Sequence, residues 1–188
     1  MTILVIDNLS PFTQDILDCL NKLGSIYVCK RFSEVNNTGD NIENNHYDKA
    51  ILSGRPKNCR EINIVNSKII KYYFENDIPI LGICYGAEIM ALTLGGSISR
   101  MNCNIQGTIP VIVSEPNRLI HDRKSVTAYE SHRYCVSRLP EGFGSVASSR
   151  YCKHEIFSHR KKKIFGVQFH PEKSGEDGII LLSNFLKL

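Results

Sequence analysis

The 188-residue sequence lacks the long hydrophobic segments and the paired cysteines that mark several classes of protein. No apolar run approaches the roughly 20 residues of a membrane-spanning helix, so we expect no membrane contact. The N-terminus has neither the basic region nor the cleavage site of a signal peptide, which favours a cytoplasmic protein. The seven cysteines are an odd number without a CxxC pair, so we expect no disulfide framework, no zinc site and no other metal.

Features of nucleotide-binding and nucleic-acid-binding proteins are also missing. The sequence has no GxxxxGK[ST] motif and no glycine-rich loop after its first apolar segment, so we expect it not to bind ATP and predict no cofactor. The net charge of +4 is modest, and we find no broad basic face with stacking aromatics for nucleic acid. Much of the charge lies in residues 159–163, His-Arg-Lys-Lys-Lys. We interpret this segment as a solvated hairpin tip, with a surface for an acidic partner as the alternative.

A single domain over residues 1–188 is the simplest organisation, because 42% of the residues are hydrophobic and the chain can bury one core. Apolar segments alternate with helix-like segments in the first half. This alternation predicts an α/β fold with a central, mostly parallel sheet and helices on both faces, followed by a small antiparallel sheet. The predicted strands are residues 3–6, 25–30, 48–52, 78–83, 108–113, 125–129, 144–148 and 164–169. The predicted helices are residues 11–23, 61–75, 87–94 and 178–186. The polar segment 35–45 is predicted to be a loop.

The segment Pro-Ile-Leu-Gly-Ile-Cys-Tyr-Gly at residues 79–86 predicts a cysteine nucleophile. Cys84 follows a buried strand and precedes a helix, so it lies at a turn that forces a strained backbone conformation. Such a turn needs small residues on either side, and Gly82 and Gly86 satisfy this requirement. The start of the following helix is expected to favour the thiolate. The alternative is that Cys84 is a small core residue.

A second apolar strand, at residues 165–169, is followed by a candidate base. A thiol nucleophile needs a base to take its proton and a third group to orient that base. His170 suits the first role and Glu172 the second, because residues two apart on an extended segment face the same side. Considered alone, His170 would be better interpreted as a hydrogen-bonded histidine at a strand end; the two motifs together favour the base.

Together, Gly-Ile-Cys-Tyr-Gly at 82–86 and Gln-Phe-His-Pro-Glu at 168–172 resemble the triad signature of the class I glutamine amidotransferases. Residues 3–8, 53–56, 91–96 and 129–132 are similar to further segments of that family, in the expected order. The family hydrolyses glutamine to glutamate and passes the ammonia to a synthetase domain or subunit. The resemblance therefore implies a flavodoxin-like amidotransferase fold and a Cys84–His170–Glu172 triad.

The resemblance also implies the remaining site residues. The backbone N–H groups of Tyr85 and of the turn at Gly54 and Arg55 are implied to form the oxyanion hole. The residues implied to bind the substrate are Glu88, Gln106, Gly107, Ser131 and His132.

Two of these residues depart from the family pattern. The family usually has glutamine where this chain has Glu88, whose carboxylate would repel the substrate carboxylate unless it carries a proton. Arg55 occupies the position of a glycine in the oxyanion loop. If the backbone there adopted a positive φ, arginine would be strained. The alternative is that Arg55 holds the loop in an inactive form until a partner docks.

Within the family, the aromatic-x-Ser-His order at residues 129–132 most resembles the stand-alone amidotransferase subunit of archaeal GMP synthase. That resemblance implies that the substrate is glutamine and that the partner, which accepts the ammonia, is an ATP-pyrophosphatase subunit. The alternatives are the amidotransferase component of anthranilate synthase, a γ-glutamyl hydrolase or cysteine peptidase on the same fold, and a weakly active regulatory subunit.

Overall fold

The computed structural model describes residues 1–37 and 47–188, and their strands form one mixed sheet. In this part of the chain nine strands lie in the order β2-β1-β3-β4-β9-β8-β7-β5-β6. They are β1 (Thr2–Asp7), β2 (Ile26–Arg31), β3 (Lys49–Leu52), β4 (Ile80–Ile83), β5 (Ser97–Val113), β6 (Ser125–Arg138), β7 (Phe143–Ser148), β8 (Ile156–His159) and β9 (Ile164–Val167). The first five strands in this order pair in parallel and the remaining pairs are antiparallel.

The expected α/β fold is confirmed, with one correction to its second half. The small antiparallel sheet is not separate, because β9 pairs in parallel with β4 on one side and antiparallel with β8 on the other. The antiparallel strands therefore extend the central sheet. Strands β5 and β6 are also much longer than the predicted segments 108–113 and 125–129.

Helices cover both faces of the parallel half. The described residues form α1 (Thr13–Lys22), α2 (Phe32–Asn37), α3 (Arg60–Glu75), α4 (Tyr85–Thr93) and α5 (Gly175–Leu186). Alternate residues of β1 point to opposite faces, as the pleat of a strand requires. Ile3 and Val5 belong to a core with α1 and α5, whereas Leu4 and Ile6 belong to a core with α3 and α4.

Helix α2 corrects the loop prediction for residues 35–45. Residues 35–37 form the last turn of this helix. At its start, the Glu34 side chain accepts a hydrogen bond from the Arg31 backbone N–H. Residues 38–45 of the predicted loop lie outside the described residues.

The basic segment 159–163 is more than a solvated tip. Lys162 donates a hydrogen bond from Nζ to the backbone oxygen of Phe74, and Lys163 donates one to the backbone oxygen of Leu188. Both side chains are partly buried. These lysines therefore satisfy carbonyl groups at the ends of other elements, which stabilises the turn.

Four parallel strands end at the same edge of the sheet, where ligands bind in open α/β sheets. Asn8 follows β1, Ser53 and Gly54 follow β3, Cys84 follows β4, and His170 follows β9. In the described part of the chain, no helix is long and apolar enough to cross a membrane.

Candidate active site

Cys84 lies at a strained turn between β4 and α4, as the sequence predicted. Its φ of 51° and ψ of −107° place it in a conformation that L-residues with a side chain rarely adopt. Its backbone N–H donates a 2.8 Å hydrogen bond to the backbone oxygen of Val167, which ties the turn to β9. The strained backbone is therefore held by the sheet itself.

The two flanking glycines are required by close approach of the backbone. A Cβ added to Gly82 would lie 2.5 Å from the backbone carbonyl of Gly86, and one added to Gly86 would lie 2.4 Å from the backbone oxygen of Leu52. Real Cβ atoms do not come this close to backbone atoms, so neither position accepts a side chain without moving the chain. The physical reason for the Gly-x-Cys-x-Gly spacing is confirmed.

The His170 ring is oriented by Glu172. Its Nδ1 lies 2.7 Å from Oε1 of Glu172, and both side chains are buried. Because a carboxylate only accepts, Nδ1 carries the proton of this hydrogen bond, and Nε2 of the neutral ring has a free lone pair. The predicted contact is present, but not on an extended segment as expected. Pro171–Lys173 forms a 3₁₀ turn, which brings the carboxylate back towards the ring.

Cys84 and His170, the candidate nucleophile and base, both lie close to Gly54. A Cβ added to Gly54 would lie 3.1 Å from Cε1 of His170 and 3.8 Å from Cβ of Cys84. The backbone of the loop after β3 therefore runs directly beside both side chains. This proximity is the geometry expected if a Gly54 backbone group faces the reacting atoms.

Several contacts hold His170 in place. The Phe12 ring packs edge-on against the imidazole at a centroid distance of 4.7 Å. The His170 backbone N–H donates to the Tyr129 backbone oxygen at 2.8 Å, and Ser174 donates its hydroxyl to the His170 backbone oxygen at 2.6 Å. The His170 ring is thus packed against Phe12, and its backbone is held by hydrogen bonds on both sides.

The surroundings of Cys84 favour the protonated thiol, contrary to the expectation from the helix start. Burial raises the pKa of Cys84 well above its ordinary value, and the negative charge of Glu88 acts in the same direction. A hydrogen bond from the Tyr85 backbone N–H favours the thiolate but does not overcome these effects. A base is therefore needed to remove the proton.

Arg55 adopts an ordinary backbone conformation, which corrects the expectation of strain. It is not among the described non-glycine residues with positive φ. Its guanidinium stacks on the Tyr85 ring, with the central carbon 3.8 Å from the ring centroid. Nη1 donates to Oδ1 of Asn58 and of Asn63, each at 2.8 Å. The loop is thus held in one conformation by Arg55, without backbone strain at that residue.

A buried pair of asparagines supports the oxyanion loop, and sequence reasoning missed it. The Asn8 backbone N–H donates to Oγ of Ser53 at 2.9 Å, and its side chain donates to the Ser53 backbone oxygen at 3.0 Å. Asn8 and Asn66 also exchange hydrogen bonds between their side-chain amides. A polar residue directly after the first buried strand was the available signal.

A cavity of about 260 Å³ opens beside Cys84. It is lined by Arg55, Pro56, Lys57, Asn58, Cys84, Tyr85, Glu88, Asn104, Ser131, His132, Arg133 and Tyr134. The predicted nucleophile, two predicted oxyanion residues and three predicted substrate-binding residues therefore share one cavity. Its size suits a ligand as small as an amino acid.

Glu88 lies at the inner wall of this cavity. It is 7% exposed, and its Oε1 accepts a 3.2 Å hydrogen bond from the Gln168 side chain. Burial raises the pKa of Glu88, while the hydrogen bond from Gln168 partly offsets this effect. A protonated Glu88 has the shape of glutamine, so burial favours the form that imitates the usual residue.

The remaining predicted residues lie on the β5–β6 hairpin. Gln106 pairs with Ser131 and Gly107 pairs with Glu130 in the antiparallel ladder. Gln106 is exposed, and neither Gln106 nor Gly107 is among the described residues that line the cavity. The ring of His132 turns inward and contacts Glu130 and the Tyr134 backbone. The structure thus brings Ser131 and His132 to the cavity and leaves Gln106 and Gly107 beside it.

Comparison with known proteins agrees with this geometry. Residues 4–188 match the family model "Glutamine amidotransferase class-I". The chain is 34% identical over 194 residues to one subunit of the glutamine-hydrolysing GMP synthase of Methanocaldococcus jannaschii, covering 99% of this chain and 96% of that protein. It is 33% identical to the GMP synthase of Vibrio vulnificus, of whose length it spans 35%.

A solved structure shows the same fold. A Thermoplasma acidophilum protein described as one subunit of GMP synthase superposes with a TM-score of 0.83 and 28% identity. The match covers 100% of this chain and 92% of that protein. The family model and the relatives, together with the strained cysteine and the His–Glu pair, lead to one conclusion: the chain belongs to the class-I glutamine amidotransferase family.

Proposed function

We propose that this chain hydrolyses glutamine at Cys84 and supplies the ammonia to the ATP-pyrophosphatase subunit of a GMP synthase. The observation that carries the proposal is the convergence at Gly54 of a strained, buried cysteine and a carboxylate-oriented histidine. The names of the archaeal relatives, which are individual subunits of glutamine-hydrolysing GMP synthases, support the identity of the ammonia acceptor.

In the first half of the reaction, His170 takes the thiol proton as the Cys84 sulfur attacks the carboxamide carbon of glutamine. The tetrahedral oxyanion accepts hydrogen bonds from the backbone N–H of Tyr85 and from the turn at Gly54 and Arg55. The protonated His170 then donates its proton to the departing nitrogen, and ammonia leaves. A glutamyl thioester remains on Cys84.

In the second half, water replaces ammonia. His170 takes a proton from the water, whose oxygen attacks the thioester carbon, and the thiol is restored as glutamate leaves. Glu172 stabilises the imidazolium in both halves because its carboxylate accepts from Nδ1. A buried thiol with a raised pKa suits this scheme, since the proton moves only when substrate is in place.

The test is a measurement of glutamate and ammonia release by the full chain, alone and with its ATP-pyrophosphatase partner. We expect turnover with the partner, and a loss of at least about 10⁴-fold in Cys84→Ser. Glu141→Gln, which changes an exposed carboxylate that does not line the cavity, should retain wild-type activity.

Two outcomes would contradict the proposal. Glutamine hydrolysis that survives Cys84→Ser would remove the nucleophile from the mechanism. Cys84-dependent release of glutamate from γ-glutamyl peptides, without use of free glutamine, would identify a γ-glutamyl hydrolase instead.

A further inference from the structure

A buried cluster of two carboxylates and one imidazole lies at the cavity wall, to which His132 belongs. Glu130 and His132 project from β6, and Glu155 directly precedes β8. All three side chains are buried, and one potential ligand atom from each lies within 4.8 Å of the others. The proposed glutamine hydrolysis uses none of these groups as an acid, base or nucleophile.

The hydrogen bonds of His132 fix the form of its ring. Nδ1 lies 2.7 Å from the backbone oxygen of Tyr134, which can only accept, so Nδ1 carries a proton. Nε2 lies 2.7 Å from Oε2 of Glu130, which as a carboxylate oxygen also accepts, so in the metal-free cluster Nε2 carries the second ring proton and donates it to Glu130. A metal ion would bind at Nε2 by displacing that proton, and a hydrogen bond from Nδ1 to a backbone carbonyl is the usual second contact of a metal-ligating imidazole.

The carboxylates have unused oxygens. Among the described residues, Glu130 Oε1 and Glu155 Oε2 have no hydrogen-bond partner, although both side chains are 0% exposed. The other oxygen of Glu155 accepts from the Ser149 hydroxyl, which orients the carboxylate. Buried carboxylate oxygens without partners are costly, and a cation between them removes that cost.

We propose that Glu130, His132 and Glu155 bind a divalent transition-metal ion, with Zn²⁺ as the ion of choice for a test. Two carboxylates balance the charge of a divalent cation, and the donor set of two oxygens and one nitrogen suits zinc. Ligand atoms around a tetrahedral zinc ion lie about 3.3 Å apart, so separations of up to 4.8 Å in the cluster must shorten, and the 2.7 Å separation of His132 Nε2 from Glu130 Oε2 must lengthen. The ion would join β6 to the segment before β8, and so fix the strand that presents Ser131 to the cavity.

The expectation of no zinc site rested on cysteine spacing alone, and this cluster contains no cysteine. Glu155 is far along the chain from Glu130 and His132, and the three come together only through the sheet.

The alternative to a metal ion in this cluster is a proton. In the absence of an ion, burial and the nearby charge of Glu130 raise the pKa of Glu155 to about 8, which allows the two carboxyl groups to share a proton at neutral pH.

The experiment uses the full chain, freed of metal with a chelator and titrated with Zn²⁺ by calorimetry. We expect one zinc ion per chain and a melting temperature that rises by several degrees at saturation. Glu155→Gln preserves the shape but removes the ligand charge, and should weaken zinc binding at least about 100-fold. The matched control is Glu141→Gln, an exposed carboxylate, which should bind zinc as the wild type does.

A thiol site must be distinguished from the proposed site, because Cys135 interacts electrostatically with His132. Cys135→Ser should retain zinc binding. Cobalt substitution in the wild type gives a readout that needs no variant to fold: d–d bands without a thiolate charge-transfer band in the near ultraviolet are expected.

Three results would overturn the proposal. The first is absence of stoichiometric zinc binding, which would mean that a shared proton occupies the cluster. The second is zinc binding that is unchanged in Glu155→Gln. The third is a strong thiolate-to-cobalt band in the wild type, which would assign the ion to cysteine.

Discussion

Two parts of the site are held by different kinds of interaction. At the turn between β4 and α4, backbone geometry sets the structure: Cys84 has a positive φ, and Gly82 and Gly86 have no room for a side chain. Around the rest of the cavity, charged side chains set the structure, with Glu88 and Arg55 lining the cavity and Glu130 buried beside it. Chemistry is therefore placed by the backbone, whereas the fit to the substrate depends on charges that one substitution can change.

The largest effect is expected at the group that orients the base. Glu172→Gln keeps the shape of the side chain but removes the negative charge that stabilises the imidazolium of His170. We expect kcat for glutamine hydrolysis to fall about 10³-fold, or about 4 kcal/mol, with little change in KM. Steady-state kinetics with the partner present measures this.

Glu176→Gln is the matched control, because Glu176 is an exposed carboxylate four residues further along the chain. It should leave kcat unchanged. A Glu172→Gln enzyme with wild-type kcat would show that the orientation of His170 does not depend on this carboxylate.

The next largest effect tests whether backbone geometry determines the structure of the turn at Cys84. Gly86→Ala places a Cβ 2.4 Å from the Leu52 backbone oxygen, so the turn must shift. We expect the free energy of unfolding to fall by about 2–4 kcal/mol, and activity to be lost with it. Urea denaturation and glutaminase assays measure both.

Gly144→Ala serves as the control, because an added Cβ there would meet only the Arg160 side chain, at 3.7 Å. Its stability should stay within about 1 kcal/mol of the wild type. Equal destabilisation by both substitutions would mean that close approach at Gly86 is not what limits the residue there.

A smaller and pH-dependent effect is expected at Glu88, one of the charged side chains that line the cavity. Glu88→Gln removes a buried carboxylate whose pKa is raised by burial. We expect KM for glutamine to fall by about 5- to 30-fold at high pH, where wild-type Glu88 is ionised, corresponding to about 1–2 kcal/mol. The difference should shrink at low pH, where Glu88 takes a proton and resembles glutamine. KM measured for both enzymes across pH, with partner present, tests this.

The pH dependence of the free energy of unfolding tests the ionisation of Glu88 independently of substrate binding. Because the folded-state pKa of Glu88 is raised, the folded state binds more protons than the unfolded state between the two pKa values, so stability falls as pH rises through this range. Glu88→Gln should remove that part of the pH dependence, and Glu61→Gln, at an exposed carboxylate, should not. An unchanged KM at every pH would place Glu88 away from the substrate.

The smallest effect is expected at Arg55. Lysine cannot reproduce both the stack on the Tyr85 ring and the two hydrogen bonds from Nη1. Arg55→Lys should lower the free energy of unfolding by about 0.5–1 kcal/mol and change KM by less than about 5-fold. Arg100→Lys, at an exposed position of β5, is the control for loss of a guanidinium. A large fall in kcat would instead indicate that the oxyanion loop depends on this stack.

The same contrast explains what could be predicted from the sequence. The turn at Cys84 has a local signature, because a strained nucleophile needs small residues at fixed spacing. Buried parallel strands also have a local signature in their continuous apolar runs. In contrast, most residues of β5 are only partly buried or exposed, and this long strand shows no regular alternation.

Side-chain clusters escaped prediction for a different reason. Asn8 and Asn66, like Glu130 and Glu155, come together only through strand pairing and helix packing. The spacing of these residues along the chain does not predict that they come into contact. The conformation of Arg55 was missed for the same reason, because its stacking partner Tyr85 lies on another element.

The position of β9 in the sheet has a consequence for how the site is assembled during synthesis. Strand β4, whose four residues are all buried, pairs on one side with β9. Ile80 can therefore form this pairing only after Ile164 has been synthesised. At a ribosomal rate of about 5–20 residues per second, the nucleophile emerges on the order of several seconds before its base. Until then β4 presents an unpaired apolar edge, which is a hazard for aggregation. During this period Cys84 lacks the histidine proposed to act as its base. The unpaired edge of β4 is also open to association with other chains.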